Sequence, residues 1–372
     1  MDARHIYVHV PFCARRCSYC DFSIAVRRQV PAAAFSDSVR SEIDRRYLVR
    51  RHGEIDTLYL GGGTPSRLGA DGVRRLMGVL LDRFPLASAA EVTLEANPED
   101  VTGEAVEAWS LAGVTRVSLG VQSFDDRVLT WMHRVHSAAE AVRAAQIVRD
   151  HGIASISLDL IYALPSSVPR EWERDLECAL SLQPRHLSCY GLTVEPRTPL
   201  ARWAARGELS PASEEAYERD FLVTDAVLTG AGYEHYEVSN YSLPGHRAVH
   251  NSAYWAGEPY IGLGPAAHGF TGTKRRWNLR HLSAWESALA AGIDPVEGEE
   301  TLSLAQREME EVYLGLRSSG GLATVAGDDP LIRRWCSEGW GEVRNGRLYL
   351  SPMGWLRLDA IAATLTEHRS RY

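Results

Sequence analysis

Residues 9–22 read HVPFCARRCSYCDF, with Cys13, Cys17 and Cys20 in a C-x3-C-x2-C spacing. Three thiols this close together suit a metal group, and soft sulfur ligands select zinc, copper(I) or an iron–sulfur cluster. A structural zinc site calls for a second Cys or His pair downstream. No such pair follows: Cys178, Cys189 and Cys336 are isolated and read as small buried residues. Three thiolates fit a [4Fe–4S] cube better, holding three irons and leaving the fourth open to a small-molecule ligand. An open iron implies chemistry rather than scaffolding.

Outward from this loop, short β-branched or aromatic runs recur at residues 5–10, 57–60, 91–95, 116–119, 155–161 and 186–193. Between them, residues 31–51, 70–84, 103–111, 138–151 and 170–182 carry apolar side chains at three- and four-residue spacing. Six βα units in succession predict an α/β fold of parallel strands with right-handed crossovers, either an open sheet or a barrel. Ligands of such folds collect at the carboxyl ends of the strands. There the sequence places Gly61-Gly62-Gly63-Thr64-Pro65, Glu95, Gln122 and Asp159, with Arg134 on a nearby WMHRVH segment. The glycines let backbone N–H groups approach a polar ligand. The run has no P-loop lysine and does not match G-x-G-x-x-G, so neither a nucleoside triphosphate nor a dinucleotide is indicated. A carboxylate at a strand end can accept from a ribose hydroxyl or an ammonium group, and Arg134 can grip a carboxylate as a fork.

Composition sets the bounds. The 372 residues exceed one ordinary core, so a large catalytic domain and a smaller one are expected, and 45% apolar residues suffice for both. A net charge of −8 offers no basic footprint for nucleic acid. Neither a secretory signal nor an apolar run of membrane-spanning length is read, which predicts a cytoplasmic, reducing environment where thiols bind metal.

The cysteine triplet, GGGTP and the β/α repetition together resemble the radical S-adenosylmethionine superfamily, and YVHVPFC, GVQSF and LDLIYALP narrow the resemblance to its HemN/HemW branch. The resemblance covers nearly the whole chain and implies a partial (β/α)6 barrel over residues 1–211. It further implies that Cys13, Cys17 and Cys20 hold a [4Fe–4S] cluster whose open iron is chelated by S-adenosylmethionine. Tyr7, Tyr19, Gly62, Gly63, Thr64, Glu95, Gln122, Arg134 and Asp159 match the branch's cofactor contacts. The implied chemistry is reductive cleavage of the sulfonium to methionine and a 5′-deoxyadenosyl radical, with the electron coming from an external donor.

Within the branch, the oxygen-independent coproporphyrinogen III oxidases continue the loop to a fourth cysteine where this chain has Phe22, and they carry a longer extension before the cluster. His250-Asn251-Ser252-Ala253-Tyr254-Trp255 is similar to the HNxxYW motif of the HemW-type heme chaperones, which is linked there to heme binding. Imidazole is a standard axial ligand for heme iron, and Tyr and Trp offer flat apolar surface, so His250 is the candidate heme contact. His235 and His268 are candidate porphyrin neighbours, but a lone His in an aromatic strand is more often a satisfied core residue, so both are left out of the site. Residues 212–300 are expected to bridge the barrel to a winged-helix-like module at 301–372, which has a β-ribbon turning at Asn345-Gly346.

Two readings remain. One is a chaperone that passes heme to membrane-bound respiratory proteins, peripheral to the membrane through its partner, with cluster and S-adenosylmethionine governing dimerisation or transfer. The other is an oxidase making protoporphyrinogen IX. The ligand assignment predicts that Cys17→Ala abolishes the cluster absorbance of anaerobically reconstituted protein; normal iron loading of that variant would refute it.

Overall fold

The structure, a computed structural model, describes residues 3–47, 53–168 and 170–370. Six parallel strands form its centre: β1 (His5–Val10), β2 (Ile55–Gly62), β3 (Leu86–Ala96), β4 (Arg116–Gln122), β5 (Ser155–Tyr162) and β6 (His186–Gly191), paired in chain order. Helices Ala32–Arg46, Gly69–Arg83, Gly103–Leu111, Ala138–Asp150 and Trp172–Ser181 fill the crossovers. The helix expected over 31–51 thus ends at Arg46 among the described residues, and 48–51 lie outside them. Strand β2 is longer than its apolar run. Gly61 and Gly62 stay in the ladder opposite His9 and Val10 rather than turning out of it.

The sheet does not stop at six strands. On the far side of β6 it continues antiparallel through β8 (Asn240–Ser242) to β7 (Glu234–Glu237). On the other side, β9 (Tyr260–Leu263) pairs parallel with β1, followed antiparallel by β10 (His268–Phe270), β11 (Lys274–Asn278) and β12 (Val296–Thr301). Residues 212–300 therefore supply strands to both edges of one open twelve-stranded sheet. Strand and helix faces share one apolar core, in which Ile6, Val8, Leu58, Leu60, Val92, Leu94, Val117 and Leu158 have no exposed surface. The same core continues into helices Leu304–Arg317, Asp329–Ser337 and Leu358–Arg369, which pack with a three-stranded antiparallel sheet. Its hairpin turns at Asn345 and Gly346, both left-handed (φ 51° and 70°), as a two-residue primed turn requires.

One buried carboxylate ties the first crossover helix to the appended strands. Glu42 is fully buried and accepts from Arg46, from Asn278 Nδ2 at 2.7 Å, from the Gly264 amide at 2.8 Å and from Trp285 Nε1 at 3.2 Å. Burial pushes its pKa up, and the adjacent Arg46 opposes that rise. Removing one partner of a buried ion pair strands the others without compensation. Glu42→Ala is expected to destabilise the fold by about 3–5 kcal/mol in denaturant titration; a loss below about 1 kcal/mol would show that these donors find water instead.

Candidate functional site

The carboxyl ends of β1–β6 surround a cavity of about 430 Å³, lined by Cys13, Cys17, Cys20, Tyr19, Gly62, Gly63, Thr64, Glu95, Gln122, Arg134 and Asp159. The cysteine loop leaves β1 and is pinned in three places. Cys13 O accepts from Arg27 N at 3.0 Å, Ser18 N donates to Met132 O at 3.2 Å, and Ser18 O accepts from Leu200 N at 2.9 Å. Tyr19 anchors it further by packing with Val128, Met132, Ile161 and Leu164.

Glycine is required at the end of β2 by close approach. A Cβ on Gly63 would stand 2.6 Å from the Pro11 carbonyl carbon, and one on Gly62, whose φ is 109°, would stand 2.4 Å from the His9 ring. The Gly62 and Gly63 amides are engaged inside the protein, by Glu95 Oε2 at 3.0 Å and Val10 O at 2.8 Å. The run therefore serves first to let β2 press against the cysteine loop.

Glu95 also accepts from the Tyr59 hydroxyl at 2.8 Å. Burial pushes its pKa up to about 7, with the nearby Asp159 adding to the rise while Tyr59 and the Gly62 amide oppose it. Asp159 is likewise raised by burial, against hydrogen bonds that include two from Ser118 Oγ, each at 3.0 Å. Gln122 is left-handed (φ 69°), where the β4–β5 register breaks, and lines the same cavity. Arg134 donates to Asn97 Oδ1 at 2.6 Å, to Gly120 O at 2.8 Å and to Cys17 Sγ at 3.5 Å. A cation, buried carboxylates and hydroxyl partners thus share one cavity, as a zwitterionic ligand carrying a ribose would need.

The thiols suit a cluster better than a lone ion. Burial pushes Cys13 and Cys20 up to about 11, so iron must supply the charge that deprotonates them. Among the described residues no three His, Cys, Asp or Glu side chains converge on a single-ion site. A cube holds each thiolate on a different iron and so keeps the sulfurs apart. Arg134 beside Cys17 adds positive charge that favours an anionic cluster.

A second cavity, of about 600 Å³, adjoins the first and shares Asp21, Phe22, Gly62 and Glu95 with it. Tyr7 lies here with His9, Tyr254, Tyr260, His268, Trp277 and Arg280. Phe22 is 59% exposed where the two meet. His250 is placed elsewhere. It is 1% exposed, in helix Val249–Trp255, whose first amides are capped by Glu91 at 3.0 Å. Its Nδ1 meets Thr57 Oγ1 at 2.6 Å, its ring lies 5.1 Å from that of Tyr59, and burial holds its pKa down at about 3. His235 is a core residue, bonded to Asp225 at 2.8 Å and stacked on Tyr241 at 4.0 Å.

Sequence reasoning missed Asn97, Ser118, Tyr260 and Trp277. Asn97 lies two residues beyond Glu95, so strand alternation could have found it. Ser118 is the register partner of Glu95, and Tyr260 and Trp277 come from strands added at a remote edge, which only pairing reveals.

The sequence pattern of the Radical SAM superfamily matches residues 7–179. A protein of Mycobacterium tuberculosis named heme chaperone HemW is 37% identical over 97% of this chain and 94% of its own length. Its namesake in Escherichia coli is 38% identical over 71% of this chain and 69% of its own. This chain belongs to the HemW family. Membership of the radical SAM superfamily brings with it a [4Fe–4S] cluster and S-adenosylmethionine. This chain also shares its fold with the coproporphyrinogen III oxidase HemN of Escherichia coli, at a TM-score of 0.83 over 97% of this chain and 90% of that one, with 22% identity.

The Glu95 environment gives a pH signature. Its folded pKa is raised above the unfolded one, so it favours the fold below about pH 4.5, and that contribution is lost as pH rises to about 7. In the ligand-free protein, Glu95→Gln is expected to gain roughly 3 kcal/mol over the parent at pH 8 and little at pH 4.5. A pH-independent difference in melting would show that Glu95 is ionised throughout.

Proposed function

We propose that this protein is a heme chaperone of the HemW type, holding a [4Fe–4S] cluster on Cys13, Cys17 and Cys20 and S-adenosylmethionine in the first cavity. The observation that carries the reading is the second cavity, where Tyr254 of HNSAYW meets Tyr7, Tyr260 and Trp277 against a wall shared with the cofactor site. Flat rings suit a macrocycle. Support from relatives is the name heme chaperone HemW on proteins alike over 97% and 71% of this chain.

In this reading Cys13, Cys17 and Cys20 would hold the cluster, which when bound would supply one electron to the sulfonium. Arg134 orients the anionic end of the cofactor beside Cys17, while Glu95 and Asp159 take its hydrogen-bond donors. Binding an ammonium group brings Glu95 into its carboxylate form, which its pKa of about 7 makes accessible near neutrality. Residues 1–211 then serve the cofactors and 212–300 complete the porphyrin cavity. Phe22 presents a ring where an oxidase carries a thiol, which counts against porphyrinogen decarboxylation. No helix among the described residues is long and apolar enough to cross a membrane, so delivery to a membrane-bound respiratory protein would run through contact with the recipient. An external electron donor and a homodimer complete the proposal.

Reconstituted protein is expected to bind hemin, with a shifted Soret band, and to yield no protoporphyrinogen from coproporphyrinogen III under anaerobic conditions with S-adenosylmethionine and reductant. Decarboxylated product, or no Soret shift, would overturn the chaperone reading.

A further inference from the structure

Three imidazoles approach the second cavity or its floor, and their nitrogens are differently committed. His9 has both engaged, Nδ1 with the Tyr7 hydroxyl at 3.0 Å and Nε2 with Ser23 O at 2.8 Å. His250 has Nδ1 on Thr57, and its Nε2 is buried without a hydrogen-bond partner. Its surroundings are Tyr59, Tyr254 and His5, the last linked through Thr57 at 2.9 Å and bonded to Glu258 at 2.8 Å. A macrocycle can reach that nitrogen only if the helix leaves the sheet. His268 differs: it is exposed, it lines the cavity, and among the described residues its ring has no hydrogen-bond partner.

We propose that His268, on β10, is the imidazole that meets the heme iron, in the cavity bounded by Tyr7, Tyr254, Tyr260, Trp277 and Arg280, and that His250 is a positioning residue behind it. This rests on the heme reading above. The backbone fixes His268 firmly. Gly262 on β9 admits the His268 carbonyl, 1.9 Å from where a Cβ would stand, and Trp277 opposite it on β11 stacks its ring at 5.9 Å and 23°. Burial and the Arg275 charge lower its pKa, which keeps a lone pair free for iron. Arg280 donates only to the Asp21 carbonyl, at 3.0 Å, and has no carboxylate partner among the described residues, so it can meet a propionate. Glu95 and Glu297 face the same space, which leaves the Arg280 edge as the anion-binding side.

His250 acts through what it touches. It packs on Tyr59, whose hydroxyl holds Glu95, so the motif helix braces a cofactor contact from the opposite end of the sheet. The test is hemin titration of cluster-loaded protein by absorbance and electron paramagnetic resonance, with free imidazole as rescue. His268→Ala is expected to weaken hemin binding at least tenfold and to lose the imidazole signature, and added imidazole restores it. His250→Ala keeps the signature in the protein that remains folded by circular dichroism, and its affinity for S-adenosylmethionine falls. An unchanged spectrum in His268→Ala, or imidazole rescue of His250→Ala alone, would overturn the assignment. Absence of any hemin binding by the parent would sink the heme reading itself, and the ligand with it.

Discussion

The contact on which the rest depends is that of Gly63 with the Pro11 backbone, where a Cβ would come within 2.6 Å of a carbonyl carbon. Parallel pairing carries β1 and β2 side by side to Val10 and Gly62. The absence of side chains at the end of β2 then lets the cysteine loop fold directly across it. Thr64 Oγ1 follows at 3.5 Å from Cys13 Sγ, and Asn97 donates to the same hydroxyl at 3.3 Å. A larger residue at either glycine would push loop and strand apart, and the thiols would no longer share a cavity with the carboxylates of β3 and β5.

Charge inside the site is arranged by the same geometry. Glu95 and Asp159 are half-buried carboxyl groups on the cavity wall, and burial raises both. Such groups are costly to keep without a ligand and ready to accept one. Arg134 lines the same cavity, its charge shared among Asn97, Gly120 and Cys17. Unlike charges kept apart in one cavity can orient a zwitterion in a single direction.

The strands between Glu234 and Thr301 are built into the same sheet instead of resting on it. Strand β9 pairs with β1, the strand that launches the cysteine loop, and β10 and β11 carry His268 and Trp277 to the second cavity. The HNSAYW helix packs on β2, its first amides capped by Glu91 of β3, and sets His250 against Tyr59. His250 is thus joined to the cofactor site through Tyr59 and Glu95, while Tyr254 of the same motif reaches it through the adjoining cavity.

Much was legible in the residues themselves. Alternating apolar runs before helical periodicity set the six parallel strands, because burial on both faces demands such runs. Three closely spaced thiols declared a metal group, and a turn that Asn-Gly favours placed the C-terminal hairpin. The reading failed where pairing between distant segments decides. Thr57 and His250 are 193 residues apart yet share a hydrogen bond. In sequence His268 reads either as a porphyrin neighbour or as a core histidine, and its exposed place on a cavity wall follows from which edge β10 joins. Local sequence determined the elements, the cysteine loop and the glycine approach, all governed by short-range sterics and periodicity. Tertiary structure alone decided which imidazole is sealed in the core and which faces the ligand space, because burial depends on neighbours that the chain brings in from far away.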